Sequence, residues 1–333
     1  MTSSKFDLSL AISDNERTRP IIDGLVDVDG IRLLSTVLHP SEMFWRQLKF
    51  AEFDVSEMSL ASLFIAASRG DFRWVAIPVF TMRRFFHTLA FVRDDRGIEG
   101  PADLKGKRVG VPEYQQTSAV WSRGIFQHAF GLDPRDVEWH MERMPDMSHG
   151  GATGFQPPAG IKLERIPPEK NIGSMLASGE LDATVLYLNE PNLIDRSRMD
   201  LASVKVIRPL FRDVVAERRR YLRETGIYPI NHTLVMRREL LERHPWIALN
   251  LQTAFQKAKD LVFRQTWGAM QPWIEAGNVN AADNLRQPPD PMPYGVKAAR
   301  PVLEAIAQYL HEQGLTLSRV DIDSVFAPST LDI

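Results

Sequence analysis

Apolar and polar residues alternate at Phe6, Leu8, Leu10 and Ile12, a spacing that predicts a strand near the start of the chain. A turn around Asp29-Gly30 leads to a second strand at 31–38, then helical spacing over 42–50, a short buried strand at 53–55 and an apolar helix over 60–68 that ends before Gly70. Strands are expected at 75–80 and 88–92. Residues 94–101, rich in Asp, Gly and Pro, read as a linker or crossover. The pattern then restarts with a strand at 108–111, a helix at 117–130 and a weak strand at 137–140. Residues 147–168 carry Gly150, Gly151, Gly154 and Gly160 among several prolines and predict a loop. A helix at 171–178, a strand at 183–187, an extended stretch at 204–210, a charged helix at 213–223 and an apolar strand at 230–236 complete this part. From Arg238 onward the spacing is helical. Pro245 suits the first turn of a long helix running to Phe263, with Ile247, Leu251, Ala254, Ala258, Leu261 and Val262 on one face. A proline-rich loop at 287–293 precedes an amphipathic helix at 298–312.

Strand and helix signals that alternate in this way favour an α/β protein with mainly parallel pairing. The layout resembles the two-lobed, periplasmic-binding-protein-like fold of type II, in which the chain builds part of one lobe, crosses to build the other, and returns. On that reading residues 1–100 with 226–333 form lobe one, discontinuous in sequence and carrying the C-terminal helices, and residues 101–225 form lobe two. The crossings are expected near 94–103 and 208–230.

The length of 333 residues accommodates two such lobes, and an apolar share of 44% is ordinary for a folded chain. With 40 Lys+Arg against 42 Asp+Glu, the net charge of −2 provides no general attraction to nucleic acid or to an anionic membrane. The run Arg218-Arg219-Arg220, with Glu217 and Glu224 beside it, reads as a solvated helix face. Zero cysteines exclude disulfides, thiolate catalysis and Cys-ligated metals. The N-terminus shows no basic segment leading into an apolar one, so a cytoplasmic location is expected.

Two strand–turn–helix junctions carry candidate chemistry. In Val109-Gly110-Val111-Pro112-Glu113-Tyr114-Gln115-Gln116-Thr117, a helix starts where an apolar strand has just ended. Phe53-Asp54-Val55-Ser56-Glu57-Met58-Ser59 repeats the layout. Free N–H groups at helix starts bind anions, and ligands of α/β sheets lie beyond the carboxyl ends of the strands. Glu113, Tyr114, Gln115, Thr117, Ser56 and Ser59 are therefore candidate substrate contacts; N-capping by Ser59 and Thr117 is the purely structural alternative. Cations near strand ends suit an acidic ligand: Arg83 and Arg84, with Arg17 and Arg19 after the first strand. Tyr187 and Glu190 follow a strand of the second lobe and join the list. His232 interrupts an apolar strand in Ile230-Asn231-His232-Thr233, which is costly unless the ring is hydrogen-bonded or faces a cavity. Imidazole exchanges protons near neutral pH, so His232 is assigned proton transfer. Glu57 is assigned orientation of a substrate hydroxyl or acceptance of its proton, with His87 in reserve. No metalloprotease, nucleophile-elbow or P-loop motif occurs, and the glycines of 150–160 are read as a mobile loop over the cleft.

The run Leu104-Lys105-Gly106-Lys107-Arg108-Val109-Gly110-Val111-Pro112-Glu113-Tyr114-Gln115 resembles the 4,5-dihydroxyphthalate decarboxylase family. So do Glu16-Arg17-Thr18-Arg19-Pro20, the Ser-Glu-Met-Ser core of 56–59, Thr225-Gly226-Ile227-Tyr228-Pro229-Ile230-Asn231-His232-Thr233 and Pro293-Tyr294-Gly295. The likeness runs over nearly the whole chain and departs from the family's pattern at Asn15 and Gln116. It implies a non-oxidative carboxy-lyase that converts 4,5-dihydroxyphthalate to protocatechuate and CO2 by protonating the ring, without an organic cofactor. A catechol chelates divalent ions, and His87, His232, Glu57 and Glu190 are metal-ligating residue types, but their spacing matches no metal motif, so no metal is expected. The expected partner is a small aromatic dicarboxylate, with no nucleic acid or membrane and with a homo-oligomer left open. A non-catalytic receptor for a small carboxylic acid is the competing reading, since anion-binding features serve both.

Overall fold

The computed structural model describes residues 5–278 and 290–333. Strand β1 (Phe6–Ile12) ends in a polar turn that carries α1 (Arg19–Ile22). Strand β2 (Ile31–Val37) feeds α2 (Pro40–Phe50), β3 (Val55–Ser59) feeds α3 (Leu60–Ser68), and β4 (Trp74–Arg83) leads out of the lobe. The second lobe comprises β5 (Phe91–Arg93), β6 (Arg108–Val111) with α4 (Thr117–Phe130), β7 (Glu138–Met141) with α5 (His149–Thr153), β8 (Lys162–Arg165) with α6 (Ile172–Ser178), β9 (Ala183–Thr184) and β10 (Ile207–Pro209). Helix α7 (Val214–Thr225) returns the chain to β11 (Ile230–Arg237). The remainder is helical: α8 (Arg238–Arg243), α9 (Trp246–Glu275), α10 (Val296–Glu312) and α11 (Ile322–Val325).

The sheet orders are β2-β1-β3-β11-β4 and β10-β5-β9-β6-β7-β8. Strands β1 to β3 pair in parallel, whereas β11 lies antiparallel between β3 and β4. In the second sheet β6 to β9 are parallel and β5 is antiparallel to both its neighbours. Helix α9 packs on β4 of the first lobe, as expected, whereas α10 lies between α3 of the first lobe and α4 of the second. Its packing on α4 is close: a Cβ built on Gly124 would stand 2.2 Å from the Tyr309 ring.

Several element boundaries differ from the sequence expectations. Strand β5 already pairs in the second sheet, so the first crossing runs through residues 84–90 and precedes the Asp-rich stretch at 94–103. The expected strand at 88–92 starts late, as β5 at Phe91; residues 88 and 89 end a 3-10 turn, Phe86–Leu89, which makes that crossing. Strand β3 begins two residues later than expected and includes Ser56 to Ser59, all buried. Polar residues there find partners in neighbouring strands and helices, which no local pattern reveals. Strand β8 was expected as loop; it is an edge strand, Lys-Leu-Glu-Arg, without an apolar face. Within the proline-rich 287–293, residues 287–289 lie outside the described residues.

Candidate active site

A cavity of about 550 Å³ opens between the two sheets, lined by residues at strand ends and helix starts of both lobes. Its first wall is β11. The pairing of β11 with β4 shifts register on both sides of His232, and such irregularities re-aim side chains. Asn231 and His232, neighbours on one strand, both line the cavity as a result. Behind His232 stands Glu57, fully buried on the adjacent β3. Its Oε1 accepts hydrogen bonds from the Ser13 N–H at 2.8 Å and the Ser13 hydroxyl at 2.7 Å; its Oε2 lies 3.2 Å from His232 Nδ1. Phe44 packs edge-on against the imidazole, with ring centroids 4.7 Å apart. His232 Nε2 has no hydrogen-bond partner among the described residues. A carboxylate thus fixes one ring nitrogen and leaves the other available to a ligand, an arrangement suited to proton transfer.

The second wall is the start of α4. Gln116, Thr117 and Ser118 line the cavity, and the N–H groups of Thr117, Ser118 and Ala119 open the helix without intrahelical partners. Thr117 Oγ1 turns to the other lobe: it lies 2.7 Å from Ser59 Oγ and accepts from the Ala61 N–H at 2.9 Å, so it caps α3. Ser118 Oγ, Gln116 Oε1 and Asn231 Oδ1 are buried atoms with no partner, all on residues lining the same cavity. The side chain of Arg84, exposed at the cavity rim, makes no hydrogen bond or ion pair among the described residues, while its backbone N–H donates to the Pro229 carbonyl. Together the N–H groups, the Ser118 hydroxyl and the Arg84 guanidinium suit carboxylates, whereas the Gln116 and Asn231 amide oxygens can only accept, as from a ligand hydroxyl.

The third wall is the start of α2. His39 caps this helix, its Nδ1 accepting from the Ser41 N–H at 3.3 Å. Beneath it lies a buried ionic network. Arg143 donates to Asp195 at 2.7 Å, to Glu113 at 2.8 Å and to the Ser41 hydroxyl at 2.5 Å. Burial opposes ionisation of Glu113 and Asp195, yet the neighbours outweigh it: His149, Arg143 and the Gly150 N–H hold Glu113 below the usual carboxylate range, and Arg143 does the same for Asp195. Burial pushes the His149 imidazole down. Its Nε2 lies 3.0 Å from the Ser41 carbonyl, which ties α5 to α2.

The structure sorts the sequence candidates. His232, Ser59, Thr117, Tyr187 and Glu190 line the cavity. Glu57 does not: it reaches the site only through His232, so it positions the imidazole and does not meet a substrate hydroxyl. His87 is buried elsewhere, 3.1 Å from Glu217 and among Phe85, Phe211 and Tyr221, and burial pushes its imidazole down. Arg83 points away and donates to the Pro293 carbonyl; burial pushes its guanidinium down to about 10. Its neighbour Arg84 takes the place at the cavity. Arg19 is half-exposed and pairs with Asp14 and Asp23. Ser56 is fully buried inside the first sheet near the start of β3 and does not line the cavity, which that strand reaches only at Ser59. Glu113 is neutralised by Arg143, Tyr114 is stacked under Arg123 at 3.7 Å, and Gln115 bonds Thr153, so that turn supports the helix start without touching ligand. The glycines of 150–160 are not a loose flap: α5 packs on α2, and a Cβ on Gly151 would stand 1.8 Å from the Pro145 carbonyl oxygen. Of the two departures from the family pattern, Gln116 lines the cavity and Asn15 does not.

Sequence reasoning missed His39, Arg143 and Asn231. The signal for His39 was present, since Leu38-His39-Pro40-Ser41 is a third strand–turn–helix junction with proline at the first helical position. For Arg143, whose partners lie 30, 52 and 102 positions away, no local signal exists.

No protein-family model matches the chain. The fold is similar to the periplasmic aliphatic sulphonate-binding protein SsuA of Escherichia coli, with a TM-score of 0.56 and 14% identity over 98% of this chain and 99% of that one. It is also similar to the desulfurization enzyme DSZB, with a TM-score of 0.50 and 18% identity over 96% of each chain. The sequence is 40% identical over 182 residues, 55% of this chain and 70% of the relative, to a 4,5-dihydroxyphthalate decarboxylase of Pseudomonas putida. To the enzyme of the same name from Comamonas testosteroni it is 33% identical over 334 residues, 99% of this chain and 98% of the relative. With this end-to-end likeness, on a two-lobed fold, the chain belongs to the 4,5-dihydroxyphthalate decarboxylase family of carboxy-lyases.

Proposed function

We propose that this enzyme removes one carboxylate, as CO2, from an aromatic dicarboxylate, converting 4,5-dihydroxyphthalate to protocatechuate. The observation that carries the reading is His232, whose Nδ1 is held by buried Glu57 while its Nε2 is left to the cavity. In the substrate each carboxylate has a hydroxyl para to it. With that oxygen ionised, the protonated His232 delivers its Nε2 proton to the carboxyl-bearing ring carbon, and the para oxygen becomes a carbonyl. The bond to the carboxylate then breaks, its electron pair restores the aromatic ring and the phenolate, and CO2 leaves. His232 regains its proton from solvent. The second carboxylate is held throughout by Arg84 and the N–H groups at the start of α4, with Ser118 Oγ beside them. The apolar side chains of Phe44, Phe86 and Phe91 supply a surface for the ring.

Nothing in these steps calls for an organic cofactor or a metal, so turnover is expected to survive exhaustive chelation. Incubating the purified protein with 4,5-dihydroxyphthalate, while following CO2 release and the ultraviolet spectrum, tests the proposal directly. Tight binding without release of CO2 would leave a receptor in place of an enzyme.

A further inference from the structure

We propose that His39 is a second catalytic residue, a neutral imidazole whose Nε2–H donates to the ring oxygen para to the departing carboxylate. The inference rests on the decarboxylase reading above and goes beyond it, since that reading gives His39 no part in the reaction.

Three observations carry it. First, His39 lines the same cavity as His232 but stands on the α2 wall. Second, its protonation state is dictated by geometry. Nδ1 accepts the Ser41 N–H, which requires a lone pair on that nitrogen, so the ring carries its proton on Nε2. Adding a proton at Nδ1 would set N–H against N–H, break the cap of α2 and place positive charge at a helix N-terminus. Burial favours the neutral ring as well, opposed by Asp195, Glu190 and Glu42 and supported by Arg143. Third, Nε2 makes no hydrogen bond among the described residues; its nearest acidic neighbour, Glu190 Oε2, lies 3.7 Å away on the other lobe and is largely exposed.

A neutral, fixed donor is what the second half of the reaction uses. When the ring carbon has been protonated, the para oxygen is a carbonyl. As the bond to the carboxylate breaks, its electron pair flows through the ring and charge accumulates on that oxygen. A donor already aimed there stabilises the charge without giving up its proton. His232 and His39 therefore divide the work: one transfers a proton to carbon, the other holds the oxygen that receives the electrons.

The test uses His39→Ser, which keeps a capping oxygen and loses the imidazole donor, with His39→Thr repeating it on a second uncharged cap. Both should melt near the parent temperature and lose roughly 10²–10³-fold in kcat. In a His232→Asn background, where turnover is slow, adding either change should weaken binding of 4,5-dihydroxyphthalate and leave binding of phthalate, which lacks the hydroxyls, unchanged. The bound catechol should also ionise at higher pH. Unchanged kcat and unchanged preference for the hydroxylated ligand would overturn the role of His39 while leaving the decarboxylase intact. A parent protein that releases no CO2, but loses its preference for the hydroxylated ligand on His39→Ser, would overturn the decarboxylase and leave His39 only as a recognition contact, which also refutes its catalytic role.

Discussion

At the scale of single residues, the proposed mechanism divides the site into groups that meet the substrate and groups that hold them. His232 is in the first class. General acid–base groups contribute about 10²–10⁴-fold, so His232→Asn should lose at least ~10²-fold in kcat with its thermal midpoint nearly unchanged. Glu57 is in the second class. Glu57→Gln keeps the shape but alters which nitrogen of His232 carries the proton, and should lower kcat with little change in KM. Retained kcat would make the pair a packing feature only. Arg84, free at the rim, should behave differently: Arg84→Ala should lower kcat/KM by roughly ten- to hundredfold, whereas Arg83→Ala, one position earlier, should lower stability and leave substrate use alone. Arg83 is the last residue of β4 and is held inward at the Pro293 carbonyl, whereas Arg84 opens the crossing segment at the cavity rim.

At the scale of elements, the lobes are joined by a few specific contacts. Thr117 caps a helix of the other lobe, so Thr117→Val leaves a buried N–H and the Ser59 hydroxyl without their partner and should cost about 1–3 kcal/mol. Thr117→Ser should restore most of it. Arg143 is the deeper joint. Removing one partner of a buried ion pair costs about 3–5 kcal/mol, because the remaining charge has no compensation. Arg143→Met abandons two carboxylates, and the pH dependence follows from their shifts. In the native protein Glu113 and Asp195 have lowered values, so their contribution is complete above the ordinary carboxylate range and fades as pH falls through the lowered values. In the variant the same buried groups prefer to be neutral, so acid favours its folded form. The stability gap between the two proteins should be widest near neutral pH and narrow toward pH ~4. Urea melts at several pH values measure it; a gap independent of pH would mean that the carboxylates are paired by something else. The junction of α4 and α10 is set by Gly124, where even a methyl group has no room beside Tyr309. Gly124→Ala should cost about 1–3 kcal/mol without touching the chemistry.

At the scale of the whole molecule, the two lobes close on each other around the cavity. Ser41 meets Arg143 and His149, Trp45 and Lys49 donate to the Asp146 carbonyl, and Arg69 donates to the Gly154 carbonyl, all from first lobe to second. These polar contacts stand beside apolar packing of α4 on α3 and α10, where the two lobes share one hydrophobic core. A ligand bridging Arg84, His232 and the start of α4 adds to the closed form. Phthalate at a hundred times its dissociation constant should stabilise the protein by about 2.7 kcal/mol, read as a rise in thermal midpoint that grows with ligand concentration. A midpoint indifferent to phthalate would place the anion site elsewhere.

The amino-acid sequence by itself determined the local elements. Alternation marked β1, helical spacing and the flanking turn marked α4 over Thr117–Phe130, and the C-terminal change to helical spacing marked α9 and α10. These depend on neighbours within a few positions, and one chain displays them directly. The polar interruption at His232 was legible for the same reason, because an imidazole in an apolar strand demands a partner or a cavity. Only the tertiary structure decided which partner. Glu57 lies 175 positions away, on a strand that reaches β11 by sheet order alone. The same holds for the choice of Arg84 over Arg83, for the retreat of Glu113 into an ion pair with Arg143, and for the meeting of His39 with His232 across one cavity. Each turns on which side of an element faces the cleft and on what stands opposite, and long-range pairing sets both.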